Sequence, residues 1–230
     1  GVDADKAAGL ARRVVDAGVD WQGFHIFAGS QSLDADAISE AQRNTIDLAR
    51  RLANEAGITL PKLNLGGGFG IPYFAGDEPL DLYAVGEKLH EIAAPDVLPG
   101  TRLVLELGRY LVGQAGVYLT RVVDRKESQG ETFLVIDGGL HHQLAASGNF
   151  GAVVKRNYPI AVAHRFDAEP EEVVNICGCL CTPLDRLGTQ AHLPRAEVGD
   201  PIAIFCAGAY GATASPMHFL GHGPAREMLV

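Results

Sequence analysis

The first half of the sequence alternates between helical segments and short apolar strands, and this order repeats three times. Apolar residues recur at helical spacing in segments that begin near Asp3, Ile38 and Leu82. Strands are predicted at 23–27, at 62–65 and in a run that ends at Glu106. Strands that are joined through helices run in the same direction, so they form a parallel sheet with helices packed outside it. The first half is therefore predicted to be an α/β structure.

The pattern changes after about Leu111. Short runs rich in β-branched residues follow one another, bounded by turns and without an amphipathic helix between them, at 117–123, 132–137, 173–180 and 201–207. This pattern predicts an antiparallel β-domain. We therefore divide the chain into an α/β part at 1–111 and a β-domain at 112–230.

Charge and composition exclude several classes of partner. The chain has 230 residues and a formal net charge of −9, with no basic patch that could bind nucleic acid. No apolar run reaches the roughly 18 residues of a membrane span, and the polar start of the sequence leads us to expect no secretory signal. Four unevenly placed cysteines do not form a disulfide framework, so we expect reduced thiols and a cytoplasmic protein. Because the chain begins at Gly1 inside a βα pattern, we expect it to be a piece of a longer protein.

The ends of the three predicted strands carry groups that suit a cofactor with a phosphate and a ring nitrogen. Glycines let the backbone approach a phosphate with its N–H groups, and a guanidinium can bind the same anion. A carboxylate can face a ring nitrogen. These groups are Ser30, Gly66, Gly67, Gly68, Glu106 and Arg109. Taken singly, the glycines could form a tight turn and Glu106 a surface ion pair.

Two segments that contain histidine are candidate sites. His25 and Phe27 share one face of the first strand, where either could pack against a flat cofactor, although a strand histidine is more often a core residue. His141 and His142 are adjacent and would point in opposite directions on a strand, so we interpret them as loop histidines and not as a metal pair.

Cysteines alternate with other residues near position 180. Cys177, Cys179 and Cys181 would all face one way on a strand, but zinc sites usually separate their cysteines by two to four residues. We therefore predict no metal site here. Cys181, beside the turn at 182–185, is the better candidate for an acidic or nucleophilic thiol.

An ordered set of segments resembles the fold-type III pyridoxal-phosphate decarboxylases, the family of diaminopimelate, ornithine and arginine decarboxylases. Each segment is weak or moderate alone, whereas the ordered set is specific and covers nearly the whole chain. The matching segments are GFHIFAGSQ at 23–31, LGGGFG at 65–70, ELGR at 106–109, VIDGG at 135–139, the stretch 178–185 and GAYG at 208–211. Within the family, the branch found beside exosortase and exopolysaccharide genes looks most similar.

The resemblance implies an alanine-racemase-like (β/α)8 barrel joined to a β-domain, with 1–111 as the last three βα units of the barrel. It also implies a head-to-tail homodimer with shared active sites, an amino-acid substrate and pyridoxal 5'-phosphate (PLP) as cofactor. Glu106 would pair with the pyridine nitrogen, and Cys181, supplied across the dimer interface, would protonate the substrate Cα after carbon dioxide leaves. His25, a neighbour of Phe27 on the same strand face, would be a third catalytic residue. The residues implied to bind the cofactor are Phe27, Ser30, Gly66, Gly67, Gly68, Glu106, Arg109 and Tyr210.

Some family features do not match this sequence. The lysine that binds the cofactor covalently lies on an early barrel strand, and no lysine here stands in that motif, so the chain alone is expected to be inactive. Phe27 replaces the ring-stacking histidine, Thr182 replaces an acidic residue after the catalytic cysteine, and 141–150 contains no arginine for a distal carboxylate. We therefore expect a substrate other than diaminopimelate, ornithine or arginine, and a carrier-linked amino acid is one alternative.

Two other functions remain open at the level of sequence. An alanine-racemase-like isomerase would use the same cofactor, but such enzymes typically set an arginine against the ring nitrogen, where this chain has Glu106. A non-catalytic module that has kept only the phosphate-binding residues is the alternative from a different class.

Overall fold

The computed structural model describes residues 1–74, 76–150 and 155–230. These residues form two compact units. The first comprises Gly1–Pro72 and Glu78–Tyr110, and the second comprises Tyr73–Asp77 and Leu111–Val230. The segment Tyr73–Asp77 thus packs with the second unit, although the sequence division placed it in the α/β part. In the part of the chain described, no helix is long and apolar enough to cross a membrane.

The first unit alternates helices with parallel strands, as the sequence predicted. Its main helices are α1 (Ala4–Asp16), α2 (Ala35–Ala56) and α3 (Leu82–Ile92), and a short α4 (Gly108–Val112) begins in its last residues. The strands β1 (Phe24–His25), β2 (Lys62–Asn64) and β3 (Arg102–Val104) form a parallel sheet with β2 in the centre.

Local signals explain where α2 begins and ends. The Asp34 carboxylate accepts hydrogen bonds from the N–H groups of Asp36 and Ala37, at 2.8 and 3.1 Å, which satisfies donors at the first turn. Gly57 then adopts a left-handed conformation, with φ of 62°, which ends the helix. The first and last residues of α2 are therefore encoded locally.

The two faces of the parallel sheet differ in character. Leu63 and Leu65 are buried in a core with Ile46 and Ala49 of α2. Phe24, Ile26, Leu103 and Leu105 pack against the same core. Because side chains alternate along a strand, the residues between these positions face away from the helices. That second face carries His25, Asn64 and, just after β3, Glu106.

The second unit is built on a six-stranded sheet in the order β6-β9-β4-β5-β7-β8. Its strands are β4 (Tyr118–Ser128), β5 (Glu131–Ile136), β6 (Ile160–Val162), β7 (Glu172–Cys177), β8 (Arg186–Leu193) and β9 (Pro201–Ile204). Asn157, just before β6, exchanges two hydrogen bonds with the backbone of Thr189 in β8, at 2.7 and 2.8 Å. The sheet therefore curls into a nearly closed barrel around a core that includes Leu134, Ile176 and Ile202.

The β-domain differs from its prediction in three respects. The sheet is mixed and not purely antiparallel, because β5 and β7 are parallel, which the long connection between them allows. Strands β6 and β8 were not predicted, since β6 is short and β8 mixes polar residues with Gly188. The strand β7 ends at Cys177, so Cys179 and Cys181 lie in the following loop and the three thiols share no strand face.

Candidate functional site

A carboxylate, an amide and an imidazole meet on the open face of the parallel sheet. The Asn64 Nδ2 amide donates to Glu106 Oε1 at 2.8 Å, and His25 Nε2 lies 3.5 Å from Glu106 Oε2. Asn64 Oδ1 in turn accepts the N–H of Gly66 at 2.9 Å. The side chains of His25 and Glu106 are each about half exposed, at 55% and 52%. Asn64 therefore fixes both the carboxylate and the first residue of the glycine turn, and it leaves the carboxylate accessible.

The glycine turn brings the three strand ends into contact. A Cβ atom on Gly67 would lie 2.0 Å from the backbone oxygen of Glu106, and one on Gly68 would lie 2.1 Å from that of Gly29. These glycines are thus required for the packing of neighbouring loops, a role that the sequence prediction did not include. Within the described residues, the N–H groups of Gly67 and Gly68 have no hydrogen-bond partner. Two donors therefore remain available to an anion.

Gln31 connects the loops that follow the strands. Its side chain donates to the Ile71 carbonyl oxygen at 2.6 Å and accepts the Ile71 N–H at 3.3 Å. The same Gln31 oxygen accepts a hydrogen bond from Arg109 Nη1 at 2.8 Å. Gln31 adopts a positive φ of 58°, which is unusual for a residue with a side chain. The hydrogen bond to the Gln31 oxygen orients the Arg109 guanidinium, which was predicted to bind phosphate.

Ser30, Gly67 and Gly68 line one cavity of about 210 Å³. Helix α2 contributes polar side chains to the same cavity, among them Gln42, which is only 5% exposed. Neither the nitrogen nor the oxygen of the Gln42 amide has a hydrogen-bond partner among the described residues. A buried amide without a partner is costly, so a polar ligand here would satisfy it.

Cys181 lies in the second unit, on an exposed loop that Asp185 holds in place. The buried Asp185 carboxylate accepts the N–H groups of Leu140 and Leu180, at 2.6 and 2.9 Å. Burial raises the pKa of Asp185, and these two hydrogen bonds oppose the increase. A Cβ on Gly178 would lie 2.1 Å from this carboxylate, so the glycine is needed for the contact. Cys181, the thiol predicted to be catalytic, is therefore exposed on a loop whose backbone is held by Asp185.

The remaining predicted cofactor residues are accessible. Phe27 is 59% exposed in the first unit. Tyr210 belongs to the second unit, is 39% exposed, and packs on Phe150 with 5.2 Å between ring centroids. The structure thus places His25, Phe27 and the predicted residues from Ser30 to Arg109 in the first unit, and Cys181 and Tyr210 in the second.

A polar network surrounds the turn after β5. The Tyr118 hydroxyl lies 3.0 Å from His142 Nδ1, and His142 Nε2 lies 3.2 Å from the Gly223 carbonyl oxygen. Burial raises the pKa of Tyr118 to about 12 and lowers that of His141 to about 4. His141 and His142 lie in a turn, as expected for loop histidines, and their ring centroids are 3.8 Å apart.

Sequence reasoning missed three residues that position the site. Asn64 gave a usable signal, because it is a polar residue between Leu63 and Leu65 in an apolar strand. Gln31 and Asp185 stood inside segments of the family resemblance, but nothing local shows which loops their side chains hold.

Comparison with known proteins agrees with this geometry. A family model described as "Pyridoxal-dependent decarboxylase, C-terminal sheet domain" matches residues 13–208. The chain is 41% identical over 213 residues to the L-glutamyl-[BtrI acyl-carrier protein] decarboxylase of Niallia circulans, covering 90% of this chain and 50% of that protein. It is 35% identical over 210 residues to the diaminopimelate decarboxylase of Archaeoglobus fulgidus, covering 90% and 48% respectively.

Solved structures show the same relationship. The diaminopimelate decarboxylase of Helicobacter pylori in complex with L-lysine matches with a TM-score of 0.77 and 27% identity, over 94% of this chain and 51% of that one. SrLDC in complex with PLP and cadaverine matches with a TM-score of 0.79 and 28% identity, over 97% and 56%. The chain thus spans about half the length of the relatives that it matches. Since the family match covers most of its residues, this chain belongs to the pyridoxal-dependent decarboxylase family.

Proposed function

We propose that the full-length protein is a PLP-dependent decarboxylase of an L-amino acid or an amino-acid derivative. The chain spans about half of its relatives, so the activity is proposed for the full-length protein and not for these residues alone. The observation that carries the proposal is the Glu106 carboxylate, which Asn64 holds at a strand end beside the open N–H groups of the glycine turn.

The residues of the first unit fit a cofactor with a phosphate. The N–H groups of Gly67 and Gly68, which have no partner in the described part of the chain, can bind a phosphate together with the Ser30 hydroxyl and the Arg109 guanidinium, and Gln31 orients Arg109. By the family resemblance, Tyr210 would add a phenolic hydroxyl to the same phosphate. When bound, PLP supplies a ring that accepts electrons as the bond to the substrate carboxylate breaks.

Glu106 would hold a proton on the ring nitrogen of the cofactor. A carboxylate close to this nitrogen favours its charged form, and the charge strengthens the pull on electrons from the substrate. Asn64 directs one carboxylate oxygen, and His25 lies beside the other. An isomerase related to alanine racemase is less well supported, because such enzymes avoid a strongly electron-withdrawing ring.

Cys181 would return a proton to the substrate Cα. The thiol is exposed on the loop that Asp185 anchors, and in the proposed head-to-tail homodimer it would act in a site shared with a second subunit. This role follows from the family resemblance of the stretch 178–185. Cys181→Ala in the full-length protein should slow product formation or change how the product is protonated, while the fold stays intact.

We propose further that the substrate is linked to a carrier. The relative from Niallia circulans is named for a substrate bound to an acyl-carrier protein. In the second unit, a cavity of about 640 Å³ is lined by Lys155, Arg156 and Arg186 together with Pro183, two residues after Cys181. No carboxylate lines it among the described residues. Three cations without a counter-charge suit an anionic group, such as the phosphate on the arm of a carrier.

The test measures carbon dioxide released by the full-length, PLP-loaded protein from free amino acids and from aminoacyl carriers. We expect release from a carrier-linked substrate. Lys155→Glu with Arg156→Glu should raise KM for that substrate by about tenfold through lost electrostatic attraction. Arg13→Glu, on the exposed face of α1, is the matched control and should change KM little.

The alternatives give different results in the same assay. Racemisation without carbon dioxide would favour the isomerase, and failure to bind PLP would favour the non-catalytic module. Release from free amino acids alone would overturn the carrier-linked substrate and leave the decarboxylase intact. The narrower assignment to the exosortase-associated branch stays a prediction.

A further inference from the structure

Three side chains with metal-binding donor atoms meet in the second unit. His141 lies in the turn after β5, Cys179 in the loop after β7, and His222 in the segment after β9. Their donor atoms all lie within 4.8 Å of one another. Since β5 and β7 are neighbours in the sheet, the fold itself brings the first two of these ligands together.

His141 is a buried member of this cluster, and one of its ring nitrogens makes no hydrogen bond to the described residues. The residue is only 1% exposed, and its Nδ1 atom has no hydrogen-bond partner among the described residues. A buried nitrogen without a partner costs free energy unless another group uses it. The observation is independent of the cluster search, and it points to a ligand that the described side chains do not provide.

His142 has a different role, although it is adjacent in sequence. Both of its ring nitrogens are engaged, one with the Tyr118 hydroxyl and the other with the Gly223 carbonyl oxygen. A carbonyl oxygen can only accept, so Nε2 carries the proton and Nδ1 accepts from Tyr118. His142 therefore holds the backbone next to His222 in place, and it has no nitrogen left for a metal ion.

The distances suit a small divalent ion with nitrogen and sulfur ligands. Cys179 Sγ lies 3.7 Å from His222 Nδ1. Two such ligands on a tetrahedral Zn²⁺ would be about 3.5 Å apart, from Zn–S and Zn–N bonds of about 2.3 and 2.0 Å. His222 is exposed, so its side chain is free to rotate toward an ion bound by the other two ligands.

We propose that His141, Cys179 and His222 bind a zinc-class divalent cation through two imidazoles and one thiolate. Binding releases the thiol proton to solvent and leaves a fourth coordination position for water, since three protein ligands are an open set. In the sequence, Cys179 stands beside Cys177 and Cys181 and far from any histidine. In the structure, Cys179 groups instead with His141 and His222. The site is independent of the decarboxylase proposal.

The test uses the full-length protein, treated with a chelator and then titrated with Zn²⁺ or Co²⁺ alone. We expect one ion per chain, a thiolate-to-cobalt charge-transfer band, and displacement of Co²⁺ by Zn²⁺. Cys179→Ser should abolish the band. His222→Ala should weaken binding by roughly tenfold or more, because loss of even an outer-shell partner costs that much. His222 is exposed, so this variant should still fold.

Matched controls separate this site from other donors. Cys181→Ser removes a thiol two residues away, and His218→Ala removes a nearby histidine; both should keep the band and the affinity. Absence of a stoichiometric charge-transfer band in the unsubstituted protein would overturn the proposal. A band that survives Cys179→Ser but is lost in Cys181→Ser would also overturn it.

Discussion

Replacement of Gly68 by alanine should destabilise the first unit because two separate effects add. A Cβ atom at this position would lie 2.1 Å from the Gly29 carbonyl oxygen, so one backbone must move by 1.3 Å to reach the 3.4 Å of ordinary contact (3.4 − 2.1). Forced contacts of this kind cost about 1–3 kcal/mol. Gly68 also has a φ of 96°, which costs a residue with a side chain about 1–3 kcal/mol. The expected loss in unfolding free energy is about 2–6 kcal/mol.

Urea unfolding of the full-length protein, followed by circular dichroism, measures this loss, and a PLP titration measures its effect on the cofactor site. Gly9→Ala is the matched control, because Gly9 lies within α1 and nothing would contact its Cβ within 4 Å. That change should stabilise the protein by about 0.5–1 kcal/mol. A Gly68→Ala protein as stable as the unsubstituted one, with unchanged affinity for PLP, would refute the assigned role of the turn.

Two further predictions concern the second unit. The Arg125–Glu172 ion pair is largely buried, with side chains 13% and 14% exposed, so Glu172→Gln should lower the unfolding free energy by about 3 kcal/mol near neutral pH. Burial alone would raise the pKa of Glu172, but hydrogen bonds from Arg125 and the Ala196 N–H hold that pKa below 4.5. The stabilisation by the ion pair is therefore present above pH 4.5 and is lost as pH falls through the depressed pKa. A difference in urea unfolding between the two proteins that does not change with pH would contradict this prediction. Tyr118 should ionise near pH 12 in an ultraviolet titration, and Tyr118→Phe should remove that contribution and cost about 1 kcal/mol through the lost bond to His142. The same titration curve in both proteins would exclude Tyr118 as its source.

The α/β order could be predicted from the sequence because its signals are local. Helical spacing identified α2, and Gly57 marked its end because a left-handed residue terminates a helix. The strands came out shorter than predicted, at two or three residues, because the length of a strand depends on hydrogen bonds to its neighbours. For the same reason the parallel pairing of β5 with β7 could not be predicted.

Residues of the site could be predicted only where the functional group and its position along the chain indicate a role without knowledge of the folded contacts. Glu106 stood out as a carboxylate at a strand end, and Asn64 gains its role only through a hydrogen bond to a residue 42 positions away. Cys179 and His222 are 43 residues apart, so no spacing rule applied to neighbouring cysteines could pair them. Contacts of this range depend on the folded sheet and not on any local pattern.

The most direct test of the proposed chemistry replaces Glu106 by glutamine in the full-length protein and measures PLP content and turnover together. Glutamine has nearly the same shape but lacks the charge that would keep the ring nitrogen protonated. The account predicts that PLP stays bound at the same stoichiometry while turnover falls by about 10²–10³. Glu87→Gln, on the exposed surface of α3, should leave both unchanged. Full turnover by the Glu106→Gln protein with PLP bound would contradict the account.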